Sequence, residues 1–279
     1  MKKRKLDIVV LSDIHLGTYG CHAKELLQYL KQIKPKILIL NGDIIDAWQF
    51  KKNYFPVEHN EVIREILKKA VKGTEVYYLT GNHDDILRRF SEFSMGRLHL
   101  LDKLILDIDG KSYWFFHGDV FDASINISPW IAKIGGKSYD WLIWLNRIIN
   151  HIRRSFGKDA MSFSKKIKAS VKKAVKFVSD FEQTAVDHAI DQNFDYVICG
   201  HIHKPQFRTV NNAKGSVNYL NSGDWVESLT SLEYKDQSWC IYHYDPSHYA
   251  KNNEPEAVEL AEATAGIHTA VHKFMSNEK

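Results

Sequence analysis

Ile8-Val9-Val10-Leu11-Ser12-Asp13-Ile14-His15 is a short apolar run that ends in a polar tip. A run this brief and rich in β-branched side chains reads as a strand buried on both faces. The pattern recurs at Ile37-Leu38-Ile39-Leu40, Val76-Tyr77-Tyr78-Leu79, Tyr113-Trp114-Phe115-Phe116 and Tyr196-Val197-Ile198-Cys199. Helical patterns fill the gaps at residues 23–31 and 61–71, where Val62, Ile66 and Lys69/Ala70 share a face. Strands alternating with helices predict an α/β fold in layers, with sheets buried by helices. Residues 217–220, 229–234 and 239–244 read as antiparallel strands joined by turns, and Asp109-Gly110 as a hairpin turn.

The tips of the five runs read Asp13-Ile14-His15, Gly42-Asp43, Gly81-Asn82-His83-Asp84, His117-Gly118-Asp119 and Gly200-His201-Ile202-His203. Side chains two apart at an extended strand end can converge on one ion. Asp and His offer oxygen and imidazole nitrogen, which suit divalent manganese, iron, zinc or cobalt. In an open sheet such tips gather at the carboxyl edge, where ligands bind.

The 279 residues are 44% hydrophobic and 26% charged. That suits one or two folded domains and excludes a disordered or collagen-like chain. Cys21, Cys199 and Cys240 are too few and too far apart for a disulfide scaffold and suit a reducing compartment. The basic start Met1-Lys2-Lys3-Arg4-Lys5 precedes an apolar run that Asp7 breaks, so no signal peptide is expected. No stretch approaches the ~18 apolar residues of a membrane span, and the expected location is the cytoplasm. Fourteen histidines are a surplus. His99, His188 and His243 read as hydrogen-bonded core residues, and His22, His59 and His151 as exposed ones.

About eighty residues between His117 and Cys199 lack any strand pattern. Ser128-Pro129 looks like a helix start. Trp130, Ile134, Trp141, Trp144, Ile148 and Ile152 follow at near-helical spacing, and Ile167, Val171, Val175, Val178 and Phe181 mark a second amphipathic helix. Residues 147–176 carry a net +9 inside a chain of +4, which leaves −5 for the remainder. The expected organisation is a core of residues 1–123 and 182–246, a helical cap over 124–181 and a tail over 247–279.

The ordered set of tips resembles the calcineurin-like metallophosphoesterase superfamily from Asp13 to His203, about two thirds of the chain. The resemblance implies a four-layer αββα sandwich with two divalent metals at its crest. It gives one metal Asp13, His15 and His203, gives the other Asn82, His117 and His201, and makes Asp43 the bridge. Manganese is the first expectation, with zinc, iron or cobalt suited to the same donors. Two such ions about 3.5–4 Å apart acidify a shared water and bind phosphoryl oxygen. No Ser or Cys nucleophile is then needed. His83 is placed to protonate the leaving oxygen or neutralise charge developing on it. Asp84 is expected to hold the His83 ring or another ligand in its tautomer.

Within that superfamily the chain resembles the UDP-2,3-diacylglucosamine hydrolases of lipid A synthesis. The likeness rests on Gly42-Asp43-Ile44-Ile45-Asp46-Ala47-Trp48, on Arg88-Arg89-Phe90, on His117-Gly118-Asp119 followed by Asp122, and on the length and place of the insertion. It implies cleavage of a diphosphate to UMP and a lipid monosaccharide phosphate, with Trp48, Arg88, Arg89 and Asp122 at the substrate. The chain departs from the best-known branch at His83, where that branch has Arg. The insertion independently offers aromatic residues for acyl chains (Trp141 and Trp144, with Trp130 and Phe156). It also offers cations for phosphate or an anionic membrane surface (Lys165 and Lys166, with Arg153 and Arg154). The expected partners are a lipid-linked nucleotide sugar and the inner face of the cytoplasmic membrane. A net charge of +4 gives no argument for nucleic acid. Two other classes compete: a hydrolase of nucleotides or other phosphodiesters, nucleic acid included, and a non-catalytic scaffold. All seven ligand positions are filled, which disfavours the scaffold.

Overall fold

The computed structural model describes residues 3–48, 54–121 and 163–249, the side chains of 163–175 excepted. The helices expected over 128–152 and in the tail lie outside these residues. The elements are β1 (Arg4–Leu11), α1 (Ala23–Gln32), β2 (Ile33–Asn41), α2 (Val57–Val71), β3 (Glu75–Leu79), β4 (Phe93–Met95), β5 (Leu98–Leu101) and β6 (Lys103–Ile108). They continue with β7 (Lys111–Phe116), α3 (Phe163–Asp191), β8 (Tyr196–Cys199), β9 (Gln206–Asn212), β10 (Gly215–Asn221), β11 (Thr230–Lys235) and β12 (Ser238–His243). The chain divides into two units, residues 1–242 and 243–279. In the second, Asp245 accepts a hydrogen bond from the Ser247 amide and Tyr244 stacks on Tyr249.

Two sheets form, with strand orders β12-β11-β1-β2-β3-β5-β4 and β6-β7-β8-β10-β9. β1, β2, β3 and β5 run parallel, as do β7, β8 and β10. The runs read as late antiparallel strands divide between the sheets: β10 joins the second, parallel to β8, while β11 and β12 join the first. Asp109 and Gly110 both take positive φ and close the β6–β7 hairpin.

Alternation along each strand sorts side chains between layers. Ile8, Val10, Ile39 and Leu79 of the first sheet meet Leu104, Phe115, Ile198 and Leu220 of the second in one core. The second sheet turns Trp114, Phe116, Val197 and Cys199 to its other face, where Phe177, Phe181, Ala185 and Ala189 of α3 cover them. α1 and α2 lie against the first sheet at β2 and β3, which completes four layers, αββα. The boundary expected after residue 181 falls inside α3, which is continuous from Phe163 to Asp191.

Away from the strand tips, two buried charged groups are held by partners. Lys69 is the unexpected member of the buried face of α2; its Nζ donates to the carbonyls of Leu30 and Ile33 at the end of α1, and burial lowers its pKa to about 8. Glu233 on β11 receives both Arg4 terminal nitrogens at 2.8 Å and the Tyr29 hydroxyl at 2.8 Å, tying β1, β11 and α1 together. His188 and His243 are exposed rather than core residues, and His59, expected outside, is buried. Glu233→Ala is expected to cost about 2–3 kcal/mol, read by urea denaturation, because a buried charged acceptor is lost and its donors are stranded. The metal content should not change.

Candidate metal centre

The carboxyl ends of β1, β2, β3, β7 and β8 supply all the expected metal ligands. Asn41, the last residue of β2, stitches the two sheets at this edge: its side-chain nitrogen donates to the Phe116 carbonyl at 3.0 Å, and its own carbonyl accepts from His117 Nδ1 at 2.9 Å. Asp13, His15, Asp43, His201 and His203 all sit at positive φ. Non-glycine residues rarely do so, and such strain gathers at functional sites. Backbone bonds hold these conformations, among them the Asp13 amide to the Gly42 carbonyl and the His15 amide to the Asp43 carbonyl. Gly42 and Gly81 are among the glycines required by space. A Cβ at Gly42 would collide with the His117 ring, and one at Gly81 with the Asp43 carboxylate.

Three groups of side chains bring their donor atoms within 4.8 Å of one another: Asp13/His15/His203, His15/Asp43/His83 and Asp43/His117/His201. Asp43 Oδ2 lies 3.4 Å from His117 Nε2, 3.8 Å from His15 Nε2 and 4.0 Å from His83 Nε2. Asp13 Oδ1 lies 3.2 Å from His203 Nε2. On the far side of each ring Nδ1 faces an oxygen. For His117 it is the Asn41 carbonyl; for His83 and His15 it is Asp46, at 3.0 and 3.5 Å; for His203 it is Asp224, at 3.4 Å. This is the arrangement that orients imidazole for metal, with Nδ1 engaged and Nε2 presented inwards.

The donor set fits a divalent cation. His15 Nε2, His117 Nε2 and Asn82 Oδ1 are buried with no hydrogen-bond partner, although buried polar atoms are almost always satisfied. Burial alone would raise the Asp43 carboxyl, but His117, His15 and His83 hold it far below the carboxylate range. Asp13 is likewise brought down to about 2, with His203 overcoming its desolvation. Reciprocally, desolvation of His203 is outweighed by Asp13 and Asp224, which push it up to about 10. Carboxylates this deep need positive charge beside them, and a divalent ion supplies it to both at once.

Asp84 is not at the His83 ring. It is buried, and it accepts from the Gly81 amide, the Ile44 amide and the Tyr78 hydroxyl, so it fixes the loop instead. The residue on the His83 ring is Asp46, quoted within the Gly42–Trp48 run but given no task there. Asp224, the partner of His203, was missed; in sequence its Asn221-Ser222-Gly223-Asp224 context looks like an ordinary turn. Trp48 is 54% exposed and its ring lies 4.2 Å from that of His83. Arg88 is tied to Asp119, Asp102 and Thr80, while Arg89 is exposed beside Phe90. Asp122, Trp141 and Trp144 lie outside the described residues. Lys165 and Lys166 fall in α3, where only the backbone is described.

A fold of two parallel-cored sheets with buried, paired metal-ligand clusters at their carboxyl edge defines a metal-dependent phosphoesterase. The chain belongs to the calcineurin-like phosphoesterase family, whose profile matches residues 6–205. It is 25% identical over 244 residues to UDP-2,3-diacylglucosamine hydrolase of Aliivibrio fischeri (strain MJ11), covering 85% of this chain and 98% of that protein. To the protein of the same name from Wigglesworthia glossinidia brevipalpis it is 26% identical over 247 residues, with 82% and 90% covered. Among solved structures it is similar to an archaeal phosphodiesterase at 13% identity and a TM-score of 0.40, covering 85% of this chain and 98% of that one.

Asp43→Ala removes the one carboxylate shared between two ligand groups. Elemental analysis is expected to show fewer metals per chain than in the parent protein, and phosphodiester turnover should fall by about 10²–10³-fold or more.

Proposed function

We propose that this enzyme hydrolyses the diphosphate of UDP-2,3-diacylglucosamine to UMP and 2,3-diacylglucosamine 1-phosphate. The observation that carries this reading is the buried cluster of unsatisfied nitrogen and oxygen donors around Asp43. It is the chemistry of a phosphoryl-transfer site, in a chain that spans nearly the whole length of relatives bearing that substrate's name. The ligands are assigned as the family resemblance implies: Asp13, His15 and His203 for one ion, Asn82, His117 and His201 for the other, and Asp43 between them; the groups Asp13/His15/His203 and Asp43/His117/His201 support this assignment. Two divalent ions, manganese first among the candidates, would bind phosphoryl oxygen, activate water and stabilise the charge of an in-line displacement.

The chain's own residues then have distinct tasks. Asp46 and Asp224 keep the rings of His15, His83 and His203 turned so that Nε2 faces the reacting group. His83 reaches the centre from the side that carries Trp48, and its Nε2 is positioned to donate to the leaving oxygen or to a phosphoryl oxygen. Asp84 holds the Gly81–His83 turn, and with it Asn82, in register with β2. Of the expected cap, residues 124–181, the part before Phe177 is assigned to the acyl chains, since Phe177 and Phe181 belong to the core of the second sheet; Trp141 and Trp144 are proposed as apolar contacts and Lys165 and Lys166 as cations for phosphate or an anionic leaflet. Among the described residues no helix is long and apolar enough to cross a membrane.

Acyl chains report on the cap. Each methylene buried is worth about 0.8 kcal/mol, so complete deacylation of the UDP-sugar is expected to lower kcat/KM by at least about 100-fold. Undiminished turnover of the deacylated sugar would instead assign the enzyme to soluble nucleotides or nucleotide sugars. His83 is tested by leaving group. His83→Ala should slow an alkyl phosphodiester far more than a diphosphate if it protonates the leaving oxygen. Equal losses would show that it steadies the phosphoryl group or the ligands.

A further inference from the structure

The turn after the first ligand pair is built more firmly than ligand placement requires. Asp13-Ile14-His15 continues into Leu16-Gly17-Thr18-Tyr19-Gly20. Gly17 takes φ +100°, and its amide donates to Nδ1 of buried His59 at 2.8 Å. The Thr18 amide and hydroxyl both return to the His15 carbonyl, at 3.1 and 2.9 Å. The turn holds Tyr19 at its tip. That residue is 78% exposed, and the Tyr54 ring lies against it at 3.8 Å between centroids, tilted by 32°.

Beside this turn lies a cavity of about 300 Å³, floored by His15, His83 and His203 and walled by Thr18, Tyr19 and Glu227. Its floor belongs to the candidate metal centre, so a group bound there is joined directly to the reacting phosphoryl. α3 meets the centre elsewhere: its Phe177 and Phe181 approach at His201, on the side of His117. A diphosphate across Asp43 therefore has two exits, one towards α3 and one into this cavity. Thr18, Glu227 and the imidazoles put hydrogen-bonding groups beside the apolar surface of Tyr19 and Val226, a mixed lining with polar partners that an acyl chain would leave unused. A fixed aromatic ring beside hydrogen-bonding groups suits a flat heterocycle on a sugar.

We propose that this cavity is the nucleoside subsite, with the base stacked on Tyr19 and Glu227 accepting a hydrogen bond from the base imide. The inference rests on the diphosphate substrate proposed above and adds which end of it lies where.

Calorimetric titration of the metal-loaded full-length protein with UMP and with ribose 5-phosphate separates base recognition from phosphate recognition. UMP is expected to bind at least tenfold more tightly than ribose 5-phosphate. Tyr19→Ala should remove most of that difference while leaving ribose 5-phosphate within twofold, and Tyr19→Phe should retain it. Glu227→Gln should weaken UMP alone. Equal affinities in the parent protein, or a UMP preference that survives Tyr19→Ala, would overturn the subsite. The outcome is distinguishable from failure of the substrate assignment. Turnover of the acylated UDP-sugar with no preference for UMP removes only the subsite. A Tyr19-dependent UMP preference without such turnover keeps the subsite and removes the lipid.

Discussion

Two carboxylates, Asp13 and Asp43, sit at 0% and 2% exposure where the two apolar sheets meet. Unneutralised charge cannot be kept in such a place, and much of the crest answers that requirement. Asp43 accepts from the His83 amide and lies within 4.0 Å of three imidazoles. Asp13 accepts from the His201 amide and faces His203. The left-handed backbone at five ligand positions, the glycines beside them and the Asn41 stitch are the local cost of bringing these groups to one place. Four layers of apolar packing hold the arrangement rigid.

A second circle of acceptors turns that neutralised cluster into a usable site. The Asn41 carbonyl, Asp46 and Asp224 face the outward nitrogens of four rings, so the inward nitrogens remain for a cation or a phosphoryl oxygen. Asp46 does this for two rings at once and thereby couples His15 to His83. The same loops that carry these ligands also carry the aromatic residues at the rim: Trp48 follows Asp46, and Tyr19 follows His15. The candidate ligands and these rim aromatics are therefore set by the same short turns.

The parts of this arrangement visible in sequence are those in which a polar tip follows an apolar run. Both neighbours of such a strand are apolar layers, so the run is unbroken and its end is conspicuous. β4, β5, β6 and β9 escaped that reading because each has at most one well-buried residue, and their alternation is blurred by exposed side chains. In sequence Asp84 is expected to hold the His83 ring or another ligand. In space, the turn's own amides and the Tyr78 hydroxyl claim its carboxylate. His59 stands in a polar first turn of α2 and so looked exposed, yet the Gly17 turn folds over it and donates to it. Lys69 fell on the apolar face of its helix and looked out of place there; the carbonyls at the end of α1 are what it serves, and no local pattern announces a partner 39 residues away.

The claim on which the account turns is that Asp43 stands between two cations. Anomalous scattering at the manganese edge, from crystals of the protein loaded with that metal, tests it directly. The account predicts two peaks about 3.5–4 Å apart, one beside Asp13, His15 and His203 and the other beside Asn82, His117 and His201, with the Asp43 carboxylate between them. A single peak in fully active protein, or two peaks neither of which touches Asp43, would contradict it.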